Sequence, residues 1–183
     1  MAAQQIQTLS SLHTPRLQLR PLEGNDQALY VGLYTDAVVM RHIGPPMTPD
    51  AAARAFQNAL KARHGASAGP RLWVLSETAR AKSMGLLGLG FTEAGSGELG
   101  IIIDRQRQGQ GLASEALAAL LGHAFDHLAL GRLQSRHHAQ NQAMAAVLSK
   151  LGFVALAPGR DPVCLWQLTR TRWIRQHNAP PQA

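Results

Sequence analysis

Cysteine is nearly absent from this 183-residue chain: Cys164 stands alone, so no internal disulfide can form. A reducing cytoplasm is then the simplest compartment, and the lone thiol reads as a small buried hydrophobe. Long apolar runs are missing too. Nothing approaches the ~18 consecutive apolar residues of a membrane span. Met1–His13 has neither a basic start nor an apolar core, so no secretory signal is expected. Charged residues make up only 16% and aromatics 5%, yet 45% of the chain is apolar, which suits a folded domain and not a disordered one. The length allows one domain with a sizeable core. Acids are scarce: 11 Asp and Glu against 18 Lys and Arg leave a formal charge of +7. Such an excess can attract an anionic cofactor, acidic partners or nucleic acid. The cations are spread along the chain and never form a block of five, and neither zinc-ligand spacing nor an aromatic stacking motif is found. Nucleic acid is therefore the weaker reading, and no metal is expected.

What is present centres on Asp104–Glu115. The β-branched segment Leu99-Gly100-Ile101-Ile102-Ile103 before it reads as a strand. After it, Leu112, Leu117, Leu120, Leu121, Ala124, Phe125 and Leu128 recur at helical spacing. A strand entering a helix through Gly109 and Gly111 leaves backbone N–H groups converging at the positive end of the helix dipole, a site for phosphate. Neither glycine has a Cβ to hold an anion off. The loop lacks the Lys-Ser/Thr pair of a Walker motif, and it lacks the third glycine and downstream acid of a dinucleotide fingerprint. Gln108-x-x-Gly111-x-Ala113 remains.

Along the chain, residues 1–13 read as a flexible lead-in, 14–175 as a single domain and 176–183 as a tail. Arg16–Arg20 alternates as a strand, Asn25 and Asp26 are candidate caps for a helix through Tyr34, and Asp36–His42 adds a further turn. Thr48-Pro49-Asp50 opens a helix with a hydroxyl cap, a first-turn proline and an acid facing the dipole. After a loop at Gly65–Pro70, three strand-like segments follow, Arg71–Ser76, Met84–Thr92 and Glu98–Asp104, with Glu93–Gly97 as a turn between the last two. Beyond the glycine loop and its helix come a strand at Arg132–His137, a helix at Asn141–Leu151 closed by Gly152, and strands at Phe153–Leu156 and Val163–Thr169. The order is α+β, helices on a mainly antiparallel sheet.

Several stretches together resemble the GNAT N-acetyltransferases, and within them the RimJ/RimL-like branch that acetylates ribosomal-protein N-termini. Gln108-x-x-Gly111-x-Ala113 is similar to the signature with which that superfamily grips the pyrophosphate of acetyl-coenzyme A. Thr14–Leu22 resembles the branch's opening "T-x-R-L-x-L-R-x-L" strand, Asp36–Arg41 its "D-x-x-V-M-R", and Glu98-Leu99-Gly100 its "E-I/L-G". Asn141 with Leu148–Phe153 resembles "N…L-E-K-L-G-F", and Leu168–Trp173 resembles "L-T-R-E-E-W".

The resemblance implies a three-layer α/β/α GNAT fold, its mixed, mainly antiparallel sheet splayed at the cofactor site. It implies acetyl transfer from acetyl-CoA to a primary amine, either a protein N-terminal α-amine or a small amine, by direct attack on the thioester. Ile101, Ile102 and Ile103 would offer backbone groups to the cofactor arm. Gln108, Gly109, Gln110, Gly111, Leu112, Ala113 and Ser114 would hold the pyrophosphate, and Asn141 would bond the pantetheine arm. Glu98 is the candidate general base, with a solvated residue after the turn as the plain alternative. Arg41 borders the acceptor side by the resemblance, where it could pair with a substrate carboxylate or serve as an ordinary surface arginine. Leu148 stands where many GNAT enzymes have a proton-donating tyrosine, and Met144 where the branch often has serine. Solvent, cofactor geometry or His137 would then serve the thiolate, although His137 and His138 read more simply as strand residues on opposite faces, which argues against a shared metal. The branch is compatible with a homodimer. A fold of this kind that holds acyl-CoA or a protein partner without turnover is the alternative.

Overall fold

A computed structural model describes residues 9–63, 69–79, 82–93, 95–156 and 162–177. The lead-in before Leu9, the middle of the Gly65–Pro70 loop and the tail Asn178–Ala183 lie outside the described residues. In chain order the elements are β1 (Leu12–His13), β2 (Leu17–Pro21), α1 (Gln27–Thr35), α2 (Ala37–Met40), α3 (Pro49–Arg63), β3 (Arg71–Glu77), β4 (Ser83–Phe91) and β5 (Ser96–Ile103). Then follow α4 (Leu112–Gly122), β6 (Arg132–His138), α5 (Gln142–Lys150), β7 (Val154–Ala155), β8 (Val163–Thr169) and α6 (Arg170–His177). The strands form one open sheet in the order β1-β2-β3-β4-β5-β6-β8-β7. Among the described residues its only parallel pair is β5 with β6.

Period-two alternation sends side chains to two apolar layers. Trp73, Leu75, Leu87, Leu89, Leu99 and Ile103 pack with Leu117, Leu120 and Leu121 of α4 and Leu148 of α5. Leu72, Val74, Leu86 and Ile102 face the other way, onto Tyr30 and Leu33 of α1, Val39 of α2 and Phe56 of α3. β3, covered on both faces, is buried along its middle and accordingly carries no polar alternation. Two expected helix starts form as read: Asp36 accepts from the N–H groups of Val38 (2.7 Å) and Val39 (3.1 Å), and Thr48 Oγ1 accepts from Ala51 N–H at 3.3 Å. Gly152 closes α5 with φ +85°, and Phe153 N–H reaches back to the Leu148 carbonyl at 3.0 Å.

Four features differ from the sequence reading. Asp26 does not cap α1 with its side chain; it is buried, and its carboxylate takes the Arg20 guanidinium in two bonds of 2.7 and 2.6 Å. Residues 9–13, read as lead-in, are tied down, because Leu9 is buried, the Ser10 carbonyl accepts from Trp73 Nε1 at 2.9 Å, and Leu12 pairs with Leu19. Ser96 and Gly97, assigned to a turn, open β5 and pair with Arg132 and Leu133. Arg170–His177, which takes in Gln176 and His177 of the expected tail, is a helix. It shows no apolar stripe because a single side chain, Trp173, is buried, and its ring lies 5.8 Å from Phe125. The helix after the glycine loop also widens into a π turn at His123–His127, which keeps adjacent Ala124 and Phe125 both against the core.

Trp173 is 8% exposed and Ile174, beside it, 41%. Trp173→Ala is expected to lower the unfolding free energy by about 3 kcal/mol in urea titrations, while Ile174→Ala changes it by less than ~0.5 kcal/mol.

Candidate active site

The parallel ladder between β5 and β6 has three rungs and stops at Glu98 with Gln134. Beyond it β5 stays paired with β4 through Ile103, and β6 stays paired with β8 through His138. A wedge therefore opens between Leu99–Ile103 and Ser135–His138. Hydrogen bonds at both ends of β4–β5, Thr92 N–H to Ser96 O (3.2 Å) and Asp104 N–H to Met84 O (2.8 Å), set the phase of that ladder. Even-numbered residues of β5 bond to β4, so the odd-numbered ones face β6: the Leu99 N–H closes the last rung on the Gln134 carbonyl, and the Leu99 C=O and the backbone groups of Ile101 and Ile103 turn into the wedge. On β6, the bonds Arg170 N–H to Gly131 O (2.9 Å) and Ala139 N–H to Pro162 O (2.7 Å) set odd residues against β8. Arg136 and His138 thus face the wedge with their backbone.

This phase corrects one expectation: the backbone groups of Ile102 point to Leu86 on β4, and its side chain joins the α1–α3 layer. The Leu99 carbonyl takes its place on the free edge. At the open end, the Ile103 carbonyl accepts from Gln108 Nε2 at 2.9 Å, so the Gln108 side chain locks the strand end.

From Ile103 the chain passes directly into the glycine loop. Asp104 accepts from Gln106 N–H at 2.9 Å and starts a tight turn, Arg105–Arg107. Gln110 folds back to bond the Gln106 carbonyl through Nε2 at 3.1 Å. Gly109 and Gly111 have φ of +74° and +76°, a backbone region that other residues enter only with strain. Gly111 is the N-cap of α4 and brings no side chain to close it. The first-turn N–H groups of Leu112, Ala113 and Ser114 are therefore available to an anion, while the Leu112 side chain is buried in the core.

An acid in this first turn, Glu115, would repel such a ligand if it were unpaired. It is held instead by the opening strand: Arg16 Nε donates to Oε2 at 2.6 Å, Arg16 N–H to Oε1 at 3.0 Å, and Thr14 Oγ1 to Oε1 at 2.5 Å. Arg16 also bonds the Gln110 carbonyl at 3.0 Å, which ties β2 to the loop itself. Burial works to raise the Glu115 pKa, but the bonds from Thr14 and Arg16 and the Arg16 charge outweigh it and hold the carboxyl below its ordinary value. The sequence reading missed this brace. Its parts are about a hundred residues apart, and no local pattern connects them.

Glu98 sits on the last rung, at the apex of the wedge, with its side chain 34% exposed. Arg136 Nε lies 3.4 Å from its Oε2. On the same face the His42 and His138 rings stack at 6.3 Å, bringing the segment after α2 up to β6. Arg41 is exposed at the end of α2, one residue earlier. Asn141 spends its Oδ1 on capping α5 (Met144 N–H, 3.1 Å), which leaves its Nδ2 as the group able to donate elsewhere. Leu148 is fully buried. His137 is buried, its Nδ1–H donating to the His138 carbonyl at 2.9 Å, and its Nε2 has no partner among the described residues. Tyr30, Tyr34 and Trp73 are packing residues; burial pushes both tyrosine hydroxyls above the usual phenol range.

An open, mostly antiparallel mixed sheet, flanked by helices and split beside a glycine loop at a helix N-terminus, is the GNAT fold. The acetyltransferase of Agrobacterium tumefaciens shares it at a TM-score of 0.74 and 27% identity, over 87% of this chain and 94% of that one. RimL, a ribosomal-protein alpha-N-acetyltransferase solved in complex with coenzyme A, does so at 0.72 and 20%, over 87% and 98%. The uncharacterized N-acetyltransferase p20 of Bacillus licheniformis is 26% identical over 148 residues, covering 79% of this chain and 83% of its own. Residues 16–154 match the acetyltransferase (GNAT) domain family, and the chain belongs to that family, whose enzymes use acetyl-CoA.

The lowered pKa of Glu115 gives the brace a pH dependence. The carboxylate binds its proton more readily in the unfolded chain, so its stabilisation is fully present above 4.5 and lost as pH falls below it through the lower folded value. Glu115→Gln is expected to cost about 1 kcal/mol at pH 7, limited by the half-exposed Arg16, and to flatten that part of the acid unfolding curve.

Proposed function

We propose that this chain is a RimJ/RimL-like N-acetyltransferase of the cytoplasm, moving an acetyl group from acetyl-CoA to a protein N-terminal α-amine or a small primary amine. One observation carries the reading: the unpaired edge of β5 leads through the short glycine loop to the free N–H groups at the start of α4. The donor set fits the cosubstrate. Amides of Gly109–Ser114, at the positive end of an 11-residue helix, suit a diphosphate. The Leu99, Ile101 and Ile103 edge suits an extended amide-bearing arm, with Asn141 Nδ2 beside α5 as a further donor. Acetyl-CoA supplies the activated acyl group.

The protein's own part is to orient and to move a proton. Free N–H groups on the β5 edge sit where negative charge develops on the acyl oxygen and stabilise it without reorganising. Glu98, at the apex, receives the proton that the amine sheds. How much help the amine needs depends on its identity: at pH 7 an α-amine of pKa about 7.8 is roughly a tenth free, a lysine of pKa about 10.4 only about 0.04%. Leu148 is a buried leucine and offers no hydroxyl to the leaving thiolate, which is left to solvent, cofactor geometry or His137.

Thiol release from acetyl-CoA across an amine panel tests the reading. Glu98→Gln is expected to lower kcat at pH 7 about 10-fold for an α-amine and further for a lysine, with the KM for acetyl-CoA unchanged. The loss shrinks as pH rises toward 9 and the amine deprotonates unaided. An unchanged kcat at pH 7 removes Glu98 from the role.

A further inference from the structure

The side chains of β5 alternate, and Glu98 lies on the even-numbered face with Ile102, away from α4. An amine reaches Glu98 from that face. Over β3 and β4 the face is covered by α1 and α3, while on β6 its residues Gln134, Arg136 and His138 are half-buried or exposed. There β6 and β8 present Gln134, Arg136 and His138 beside Gln167 and Val163, with Arg136 57% and Val163 42% exposed. The opposite wall is the segment after α2, where His42 stacks on His138 and Arg41 is exposed.

The charges here are unequal. Glu93, further down the same side, is matched by Arg132 at 3.0 Å, and Asp36 is spent on the N-terminus of α2. That leaves Glu98 as the acid at the apex, facing Arg136, with Arg41 having no ion pair among the described residues. The contact of Arg136 with Glu98 is a single one through Nε at 3.4 Å, longer than the 2.7–2.9 Å of a formed charge-assisted bond. The Arg136 side chain is 57% exposed, and a guanidinium has the fork geometry that takes a carboxylate in two parallel bonds.

We infer that the acceptor is an amine with a carboxylate close by, and that Arg136 is the residue that selects it. The inference rests on the acetyl-transfer reading and narrows it. Without acceptor the guanidinium lies only loosely against Glu98. With acceptor bound it takes the acceptor's carboxylate, while Glu98 stays with the amine. A polycationic acceptor meets like charge at Arg136 and Arg41 and is rejected.

The test is thiol release from acetyl-CoA with four acceptor sets: free aspartate and glutamate, short peptides with Asp or Glu in the first two positions, the same peptides with Lys there, and spermidine. Acidic acceptors are expected to have kcat/KM at least 10-fold above basic ones. Turnover of the free acids identifies a small-molecule acceptor, and turnover of the acidic peptides alone a protein N-terminus; either supports the inference. Arg136→Glu is expected to reverse the preference by 10-fold or more through the KM of the acceptor, with the KM for acetyl-CoA unchanged, and Arg136→Lys to keep part of it. Equal or better use of basic acceptors by the wild type, or a preference unmoved in Arg136→Glu, overturns the inference and leaves acetyl transfer standing. No release with any acceptor overturns the transfer reading, and this inference with it. The variants alter an exposed side chain, and an unchanged thermal midpoint separates selectivity from folding.

Discussion

The arrangement depends on two strands parting after three rungs. Up to Glu98 and Gln134, β5 and β6 share hydrogen bonds; past that point each keeps only its outer neighbour. Buried backbone polar groups left unpaired are costly, so a sheet splits in this way only where something else will bond its edges. The split also explains why the glycine loop lies where it does. It begins just after Ile103, whose N–H faces the wedge together with that of Ile101. Glu98, at the closed end, is the point nearest both an edge-bound chain and the opposite face of the sheet.

An acid in the first turn of a helix opposes an anion at that end, and α4 carries one in Glu115. The conflict is resolved by Arg16 and Thr14, which take up both oxygens of Glu115. The carboxylate still favours the helix N-terminus as a charge near its dipole, while its outward field is cancelled by the guanidinium. The same side chains fasten the opening strand to the loop, so the N-terminal edge of the sheet and the glycine loop hold one another in place.

Much of this could be read in the amino acids, for reasons that are local. The apolar, strand-like stretches Arg71–Ser76 and Leu99–Ile103, the Asp36 and Thr48 starts, and the Gly152 stop each depend on neighbours a few residues away. The glycine loop was legible because positive φ at Gly109 and Gly111 is a property of those residues alone. What escaped was long-range. The phase of the β4–β5 ladder decides that Ile102 faces its neighbour and Leu99 the wedge, and no composition rule reveals a phase. The pairing of Ser96 and Gly97 with β6 looks like a turn until β6 is beside it. Asn141 matches a family position, but its cap on Met144 becomes visible only once α5 has a defined first residue. Helix α6, three arginines and one buried tryptophan among eight residues, is held by a tertiary contact and not by a pattern.

The topology of the far edge bears on how the protein is made. β8 follows β7 in the chain but lies inside the sheet, between β6 and β7. Until β8 leaves the ribosome, β6 has no outer neighbour, and the wedge denies it most of an inner one. For that interval a nascent strand carrying Leu133 and Ser135 is open along nearly both edges, a state prone to pairing with other chains. The parting of β5 and β6 thus reaches into synthesis: β6 is shielded along its length only once β8 has been made.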